Sequence, residues 1–395
     1  MGIGLAVFPL TNRLRRAAYV ERASIQHLCG WFIAARPYEV KHRFGYHVWD
    51  HAEHVEWLQE RLRLLRGGLA ATSLEPGLIS FVGSTRHAPD EYAYIRGAYL
   101  VLKPALLELY EETLELCDPS ANAYDIRLLN RIIPEVRAQI KWAYGALEGE
   151  PNPEQSKRWA NALHEALEAL GGLSCTGVSS AESTAELDRS LRFVVPDRLL
   201  FDERIGEKPL MPHGERLELP YEQGLREQFR VFFNEAYAAA MLASVLYDGF
   251  EHNLPWEFIR DFARHFWDEC RHSEFGAVRL KELGDEPDRC DQRLFRNSLA
   301  MPLLHRVCYL TLVLEPYYMS RKKPRFEEYG RAGDGRSQLF ADHDWSDEIN
   351  HVRVGKEWLK RLLEEDARDV GQIKEETREI LARLEGASVG QLSPF

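Results

Sequence analysis

Two lone glutamates are each followed, one long helix later, by a glutamate and a histidine spaced as E-x-x-H. Glu235 precedes Asp268-Glu269-Cys270-Arg271-His272, and Glu315 precedes Asp347-Glu348-Ile349-Asn350-His351. The separations nearly match, 269 − 235 = 34 and 348 − 315 = 33. Positions i and i+3 share one helix face, so each pair can aim a carboxylate and an imidazole at one point. Few architectures accommodate this twice. Four helices must turn these polar spots toward a common interior, the ligand arrangement of a carboxylate-bridged di-metal site.

The surroundings sharpen the constraint. Val231-Phe232-Phe233 and Ala238-Ala239-Ala240-Met241-Leu242 flank Glu235, and Leu310-Thr311-Leu312-Val313-Leu314 precedes Glu315. A carboxylate in such a run is costly to bury unless it is paired or metal-bound. A single E-x-x-H arises by chance on solvated helix faces, whereas four elements in order with matched spacing require a common cause.

Long 3.6-residue periodicity dominates the chain and strand-like alternation is sparse, so the expected class is all-α. Helices are predicted over 14–36, 38–66, 90–117 and 122–148, then 154–171, then 222–251, 256–283, 302–320, 340–366 and 370–385. Residues 172–221, with Gly171-Gly172 at their edge, Ser179-Ser180 and several prolines, read as an irregular connector. The two helical sets resemble each other. A shift of 218 places Pro37, His47, Trp49-Asp50 and His54 on Pro255, His265, Trp267-Asp268 and His272. A shift of 212 places Val101-Leu102-Lys103-Pro104 on Val313-Leu314-Glu315-Pro316, and Glu21 falls on Glu235 once about one helical turn is removed. The expectation is two tandem four-helix bundles from internal duplication: residues 1–150, a helix plus connector at 151–221, and 222–395. The stretches 67–89, from Gly67-Gly68 to the N-cap candidate Asp90, and 284–302 are each long enough to run the length of a bundle.

Composition sets outer limits. The net charge is −12 and no basic stripe occurs, which argues against a nucleic-acid partner. No run of about 18 apolar residues is present, so no membrane span is expected, and the first eight residues are too short for a secretory signal. Six scattered cysteines without C-x-x-C spacing fit a reduced, cytoplasmic setting with buried free thiols.

The set Glu235, Asp268-Glu269-Cys270-Arg271-His272, Glu315 and Asp347-Glu348-Ile349-Asn350-His351 resembles the ferritin-like non-haem di-iron carboxylate superfamily. The D-E-x-R-H form is similar to acyl-carrier-protein desaturases and to hydroxylase subunits of multicomponent monooxygenases. The resemblance covers about 222–366 and, in weakened form, 14–148. It implies Glu235, Glu269, His272, Glu315, Glu348 and His351 as metal ligands and catalytic centre, holding two Fe ions or an Mn/Fe pair with O₂ as co-substrate. Asp268 and Asp347 would hold the histidine N–H groups, Arg271 would partner those acids, and His265 would stand in the outer layer. Asn350 departs from the pattern where the first motif has Arg271. The implied activity is an oxidase or oxygenase that hydroxylates, desaturates or N-oxygenates a small organic molecule. No flavin or nicotinamide fingerprint occurs, so electrons would come from a separate reductase or ferredoxin; a homodimer is compatible with this. A ferroxidase, peroxidase or iron-storage protein, and a non-catalytic helical scaffold, are the alternatives.

In the first set, Glu21, Asp50 and His54 persist, but His51 stands where Glu269 does and Lys103 where Glu315 does. The helix around Glu135 carries no E-x-x-H. This half reads as a metal-free scaffold in which Lys103 pairs with Glu21, with a residual single-metal site on Glu21, His51 and His54 as the alternative.

Overall fold

The computed structural model describes residues 4–66, 74–175 and 192–386. Helices come in the order α1 (Val7–Ala34), α2 (Tyr38–Leu64), α3 (Pro76–Ser84), α4 (Glu91–Gly97), a π-turn π1 (Ala98–Leu102), α5 (Lys103–Leu116), α6 (Ala123–Ala146) and α7 (Pro153–Leu170). They continue with α8 (His213–Leu217), α9 (Tyr221–Asn234), α10 (Ala236–Glu251), α11 (Trp256–Glu282), α12 (Arg293–Leu299), α13 (Leu303–Cys308), a second π-turn π2 (Tyr309–Leu314), α14 (Glu315–Arg331), α15 (Gly335–Leu362) and α16 (Val370–Glu385). Among the described residues the strands are two-residue pieces, β1 (Gly206–Glu207) and β2 (Arg289–Cys290), paired in parallel. The chain is all-α.

Two compact units divide it. One holds residues 1–31 and 47–194, the other 32–46 and 195–395. The segment 151–221 is therefore shared, with α7 packed on α4 in the first unit and residues 195–221 in the second. Ser179-Ser180 and Gly67-Gly68 lie outside the described residues. Asp90 caps α4, its side chain accepting from Ala93 N at 2.8 Å.

The expected helix 222–251 is interrupted at Glu235, where the backbone departs from α-helical ψ and Glu235 N donates to Phe232 O instead of to a carbonyl four residues back. Ser273 Oγ donates to the neighbouring Phe233 carbonyl at 2.7 Å, satisfying an acceptor beside the break. By length and hydropathy this run, 221–251, passes for a membrane span; 89% of its most apolar window is buried, as in a core helix.

The expected helices 90–117 and 302–320 each contain a π-turn, and the second continues to Arg331. Both turns end two residues before a proline, at Leu102 ahead of Lys103-Pro104 and at Leu314 ahead of Glu315-Pro316. Proline has no N–H and its ring strikes the carbonyl four residues back, so a straight α-helix cannot pass through it unstrained. The wider turn absorbs the misfit: Glu315 N reaches Leu310 O, and Lys103 N reaches Ala98 O.

In the second unit α11 packs on α9, α10 and α15, and α14 on α15. Two glycines set these approaches. A Cβ on Gly276 would lie 2.1 Å from Phe233 N, and one on Gly355 would lie 2.2 Å from the Thr311 side chain in π2. Neither site has room for alanine, which brings α11 close to the Glu235 break and α15 close to the turn that presents Glu315.

Candidate metal centre

α11 carries His265, Glu269 and His272 at successive turns, so three donors point inward from one helix face. Glu235 enters from its helix break, Glu315 from the end of π2, and Asp344, Glu348 and His351 from one face of α15. These side chains are buried, apart from a half-buried Glu235, and form two adjoining donor sets.

The first set contains His265, Glu269, Glu315 and His351. His265 Nε2 lies 2.9 Å from Glu315 Oε1 and 3.4 Å from Glu269 Oε1. His351 Nδ1 lies 3.3 Å from Glu269 Oε1 and 3.8 Å from Glu315 Oε1. Two triads that share His272, one of Glu235, His272 and Asp344 and one of Glu269, His272 and Glu348, together make the second set. His272 Nδ1 stands 3.4 Å from Glu235 Oε2, 3.6 Å from Asp344 Oδ1 and 3.8 Å from Glu269 Oε2. Donors bound at about 2.0–2.2 Å to one ion lie about 3–4 Å from each other, so the spacing suits a metal in each set. Glu269 turns Oε1 to one set and Oε2 to the other, the geometry of a bridging carboxylate.

Many of these donor atoms are otherwise unsatisfied. Glu235 Oε2, His265 Nε2, His272 Nδ1, both Glu315 oxygens, Asp344 Oδ2, Glu348 Oε2 and His351 Nδ1 are buried without an aligned hydrogen-bond partner, their contacts being ion-pair approaches only. Buried polar atoms left unpaired cost about 1–3 kcal/mol each, so a cluster of eight calls for a ligand. Buried His/Glu clusters that can hold a metal ion are therefore present.

A crossed outer layer fixes the imidazoles. His351 Nε2 meets Asp268 Oδ2 at 3.4 Å, and His272 Nε2 meets Asp347 Oδ2 at 3.2 Å. Each helix thus holds the other's histidine, and each ring presents Nδ1 to the centre. Arg271 donates to both acids, at 2.6 Å to Asp268 and 3.2 Å to Asp347. One guanidinium serves two motifs, so Asp347 has an arginine partner although Asn350, an exposed residue donating to Ser346 O, stands where the second motif would carry its own. Arg264 adds a further donor to Asp268, whose carboxyl is lowered to about 2 against burial by His351 and the arginine.

Burial lifts the Glu315 carboxyl to about 7. Burial has the same tendency at Glu269 but is outweighed by His265, His272 and His351, which hold it well below the usual carboxylate range. For His351, burial is outweighed by Asp268 and Glu269, and the imidazole rises to about 10.

Three participants were not expected as such. His265, placed in the outer layer by sequence, sits with its Nε2 among the donors and its ring stacked on His351 at 3.6 Å. Asp344 adds a fifth carboxylate. Lys322, buried on α14, donates to Asp344 at 2.6 Å and Glu348 at 2.9 Å. Lys322 thus sets one ammonium among five carboxylates. Helix spacing was the available signal, since Asp344 is one turn before Glu348 and Lys322 two turns after Glu315.

The first unit brings Glu21, His51 and His54 together, but their donors are spent. Glu21 accepts from Tyr110 at 2.8 Å, from His54 Nδ1 at 3.0 Å and closely from His51 Nδ1. His54 Nε2 bonds Glu135 at 2.8 Å. Lys103 does not pair with Glu21, as the sequence suggested; it donates to His51 Nε2 at 2.8 Å and to Gln139. Burial and then Lys103 lower the His51 imidazole to about 4, so it relays between the ammonium and Glu21 as a neutral ring. None of these ring nitrogens or Glu21 oxygens is unsatisfied among the described residues.

Contacts in the two units correspond, with one partner displaced by 272 − 54 = 268 − 50 = 218 and the other by 212. His54–Glu135 matches His272–Asp347, and Asp50–Gln139, at 2.8 Å, matches Asp268–His351, with offsets 347 − 135 = 212 and 351 − 139 = 212. The same offset puts Val136 under Glu348, Ile132 under Asp344 and Tyr110 under Lys322.

A family model described as "Protein of unknown function (DUF455)" matches residues 231–387. That span begins four residues before Glu235 and includes every donor of the second unit's centre. No curated protein and no solved structure matches the chain.

A recess of about 900 Å³, its open mouth included, reaches Glu235, Glu269, Glu315 and Glu348. Tyr237, Tyr318 and aliphatic side chains form much of its wall. Of the six free cysteines, Cys175 is half-buried and the others, Cys270 included, are buried.

Proposed function

We propose that the second unit is a ferritin-like four-helix bundle binding two iron ions, and that the first is its metal-free duplicate. On this reading the protein is an O₂-dependent oxidase or oxygenase acting on a small organic substrate, with electrons from a separate donor. The observation that carries the reading is the set of buried, unsatisfied donors divided into two groups by Glu269. The matching contacts, at offsets of 218 for one partner and 212 for the other, and the paired π-turns support the duplication.

Bound iron would supply the redox chemistry toward O₂ that no side chain here possesses. The remaining work belongs to the chain. Glu269 holds the two positions at a fixed separation, and His265 and His351 face one of them while Glu235 and His272 face the other. Asp268 and Asp347 keep protons on the outward Nε2 atoms, leaving each Nδ1 lone pair free. Lys322 offsets one of the two charges on Asp344 and Glu348, which lowers the net negative charge a bound metal pair would have to balance. The apolar wall keeps bulk water from the interior and gives a substrate a path to the same four glutamates.

The test is O₂ consumption by protein loaded anaerobically with Fe(II) and then given a chemical reductant. Uptake of two metals followed by O₂ consumption, abolished in Glu269→Ala, supports the reading. A loaded protein that leaves O₂ untouched contradicts the oxygenase assignment.

A further inference from the structure

The recess that reaches the metal-facing glutamates also carries the guanidinium groups of Arg216, Arg321 and Arg325. The same three line an adjoining recess that contains none of those glutamates, so they stand on the side shared by the two. Their contacts are neutral. Arg216 donates to the Met211 carbonyl and lies 3.5 Å from His213 Nδ1, and its buried Nε has no partner. Arg321 donates to Tyr317 Oη at 3.0 Å, and Arg325 lies 5.6 Å from the centre of the Phe232 ring. By contrast Arg293, on the same wall, is tied to Asp291.

Glu328 borders the adjoining recess, but among the described residues none of these three guanidinium groups is ion-paired to a carboxylate, and they repel one another. Burial first, then Arg325 and Arg321, lower Arg216 to about 10; burial and the three arginines lower His213 to about 4. Such a cluster is stabilised by an oxyanion, which arginine grips through two parallel N–H donors. Nearer the metal positions the wall is apolar, with Val231, Ala238 and Leu314.

We infer that this recess takes an organic oxyanion, a carboxylate or phosphate ester on an apolar body, with the anion on Arg216, Arg321 and Arg325 and the body directed toward Glu235 and Glu315. That this anion is the substrate rests on the metal-centre reading; its binding does not. The polarity of the recess sets the orientation, because the metal-facing glutamates repel an anionic head that the arginines attract.

Calorimetric titration of the full chain, metal-loaded and metal-free, with octanoate, octyl phosphate, octanol and octylamine tests this. The anions are expected to bind the loaded chain at least about tenfold more tightly than octanol, with octylamine weakest, and added salt should erode the difference. The tighter of the two anions identifies the headgroup. Arg321→Gln with Arg325→Gln should weaken octanoate at least about tenfold while leaving metal content and helical signal unchanged; Arg321→Lys should be intermediate. Octanol binding as well as octanoate, or an undisturbed double variant, overturns the proposal. Arginine-dependent octanoate binding by a chain that takes up no metal would leave the oxyanion site standing and remove the metal reading, and the converse result would do the reverse.

Discussion

Lys322 places its ammonium 2.6 Å from Asp344 in the second unit, and at the matching positions of the first unit stand Tyr110 and Ile132. The pair is present or absent as a unit, together with the extra carboxylate it neutralises. Removing one partner of a buried ion pair typically costs about 3–5 kcal/mol, because the other charge is stranded. Lys322→Met should therefore lower the thermal midpoint of the metal-free protein markedly, and divalent metal should restore much of the loss. Lys322→Met with Asp344→Asn should lose less than Lys322→Met alone. Scanning calorimetry with and without metal checks both.

His265 sits among the donors and not behind them. Its Nε2 is within 2.9 Å of Glu315 Oε1 and within 3.4 Å of Glu269 Oε1. Histidine 265→Ala should thus reduce uptake from two ions toward one, because the second set does not use this ring. Elemental analysis after equilibrium dialysis reads the stoichiometry directly; unaltered uptake would return His265 to an outer role.

Arg271 bridges Asp268 and Asp347 and so steadies the two imidazoles that these acids hold, His351 and His272. Outer-layer partners of this kind are worth about 10–100-fold in metal affinity. Arg271→Ala should weaken metal binding by that order, whereas Asn350→Ala, on an exposed position, should leave it unchanged. Competition with a chelator of known affinity measures the difference.

The first unit makes a prediction about pH. His54 is fully buried; burial is outweighed by Glu21 and then Glu135, and its imidazole is raised to about 9. A raised histidine stabilises below its ordinary value of 6.5, and that contribution is lost as pH climbs through 9. Lys103, lowered to about 8 by burial, works oppositely, and its cost is relieved between 8 and 10.5. From these two groups stability should fall between pH 6.5 and 8, level off to about 9 as the effects offset, and recover toward 10.5. The difference between the parent and His54→Gln should shrink across the His54 window by about 3 kcal/mol. Denaturant unfolding at fixed intervals of pH tests this.

Much of the site was legible because helical spacing is a strong rule: E-x-x-H puts Glu269 with His272 and Glu348 with His351. The same rule applied one turn back gives His265 and Asp344, but a lone mid-helix histidine or aspartate resembles many solvated ones until the fold closes around it. Lys322 lies in Arg321-Lys322-Lys323, where sequence alone does not say which cation turns inward. The π-turns were hidden because periodicity does not record a one-residue change in hydrogen bonding, although Pro104 and Pro316 marked the places. Gln139 was invisible as the counterpart of His351, since glutamine is no metal ligand and only its bond to Asp50 reveals the match.

The most direct test is metal content per chain after anaerobic loading, in the parent, in Glu269→Ala and in a His51→Ala, His54→Ala double variant. Two ions in the parent, a severe loss in Glu269→Ala and two ions retained in the double variant are expected. A parent chain without metal, or one that loses its metal only when His51 and His54 are changed, would contradict a single di-metal centre in the second unit.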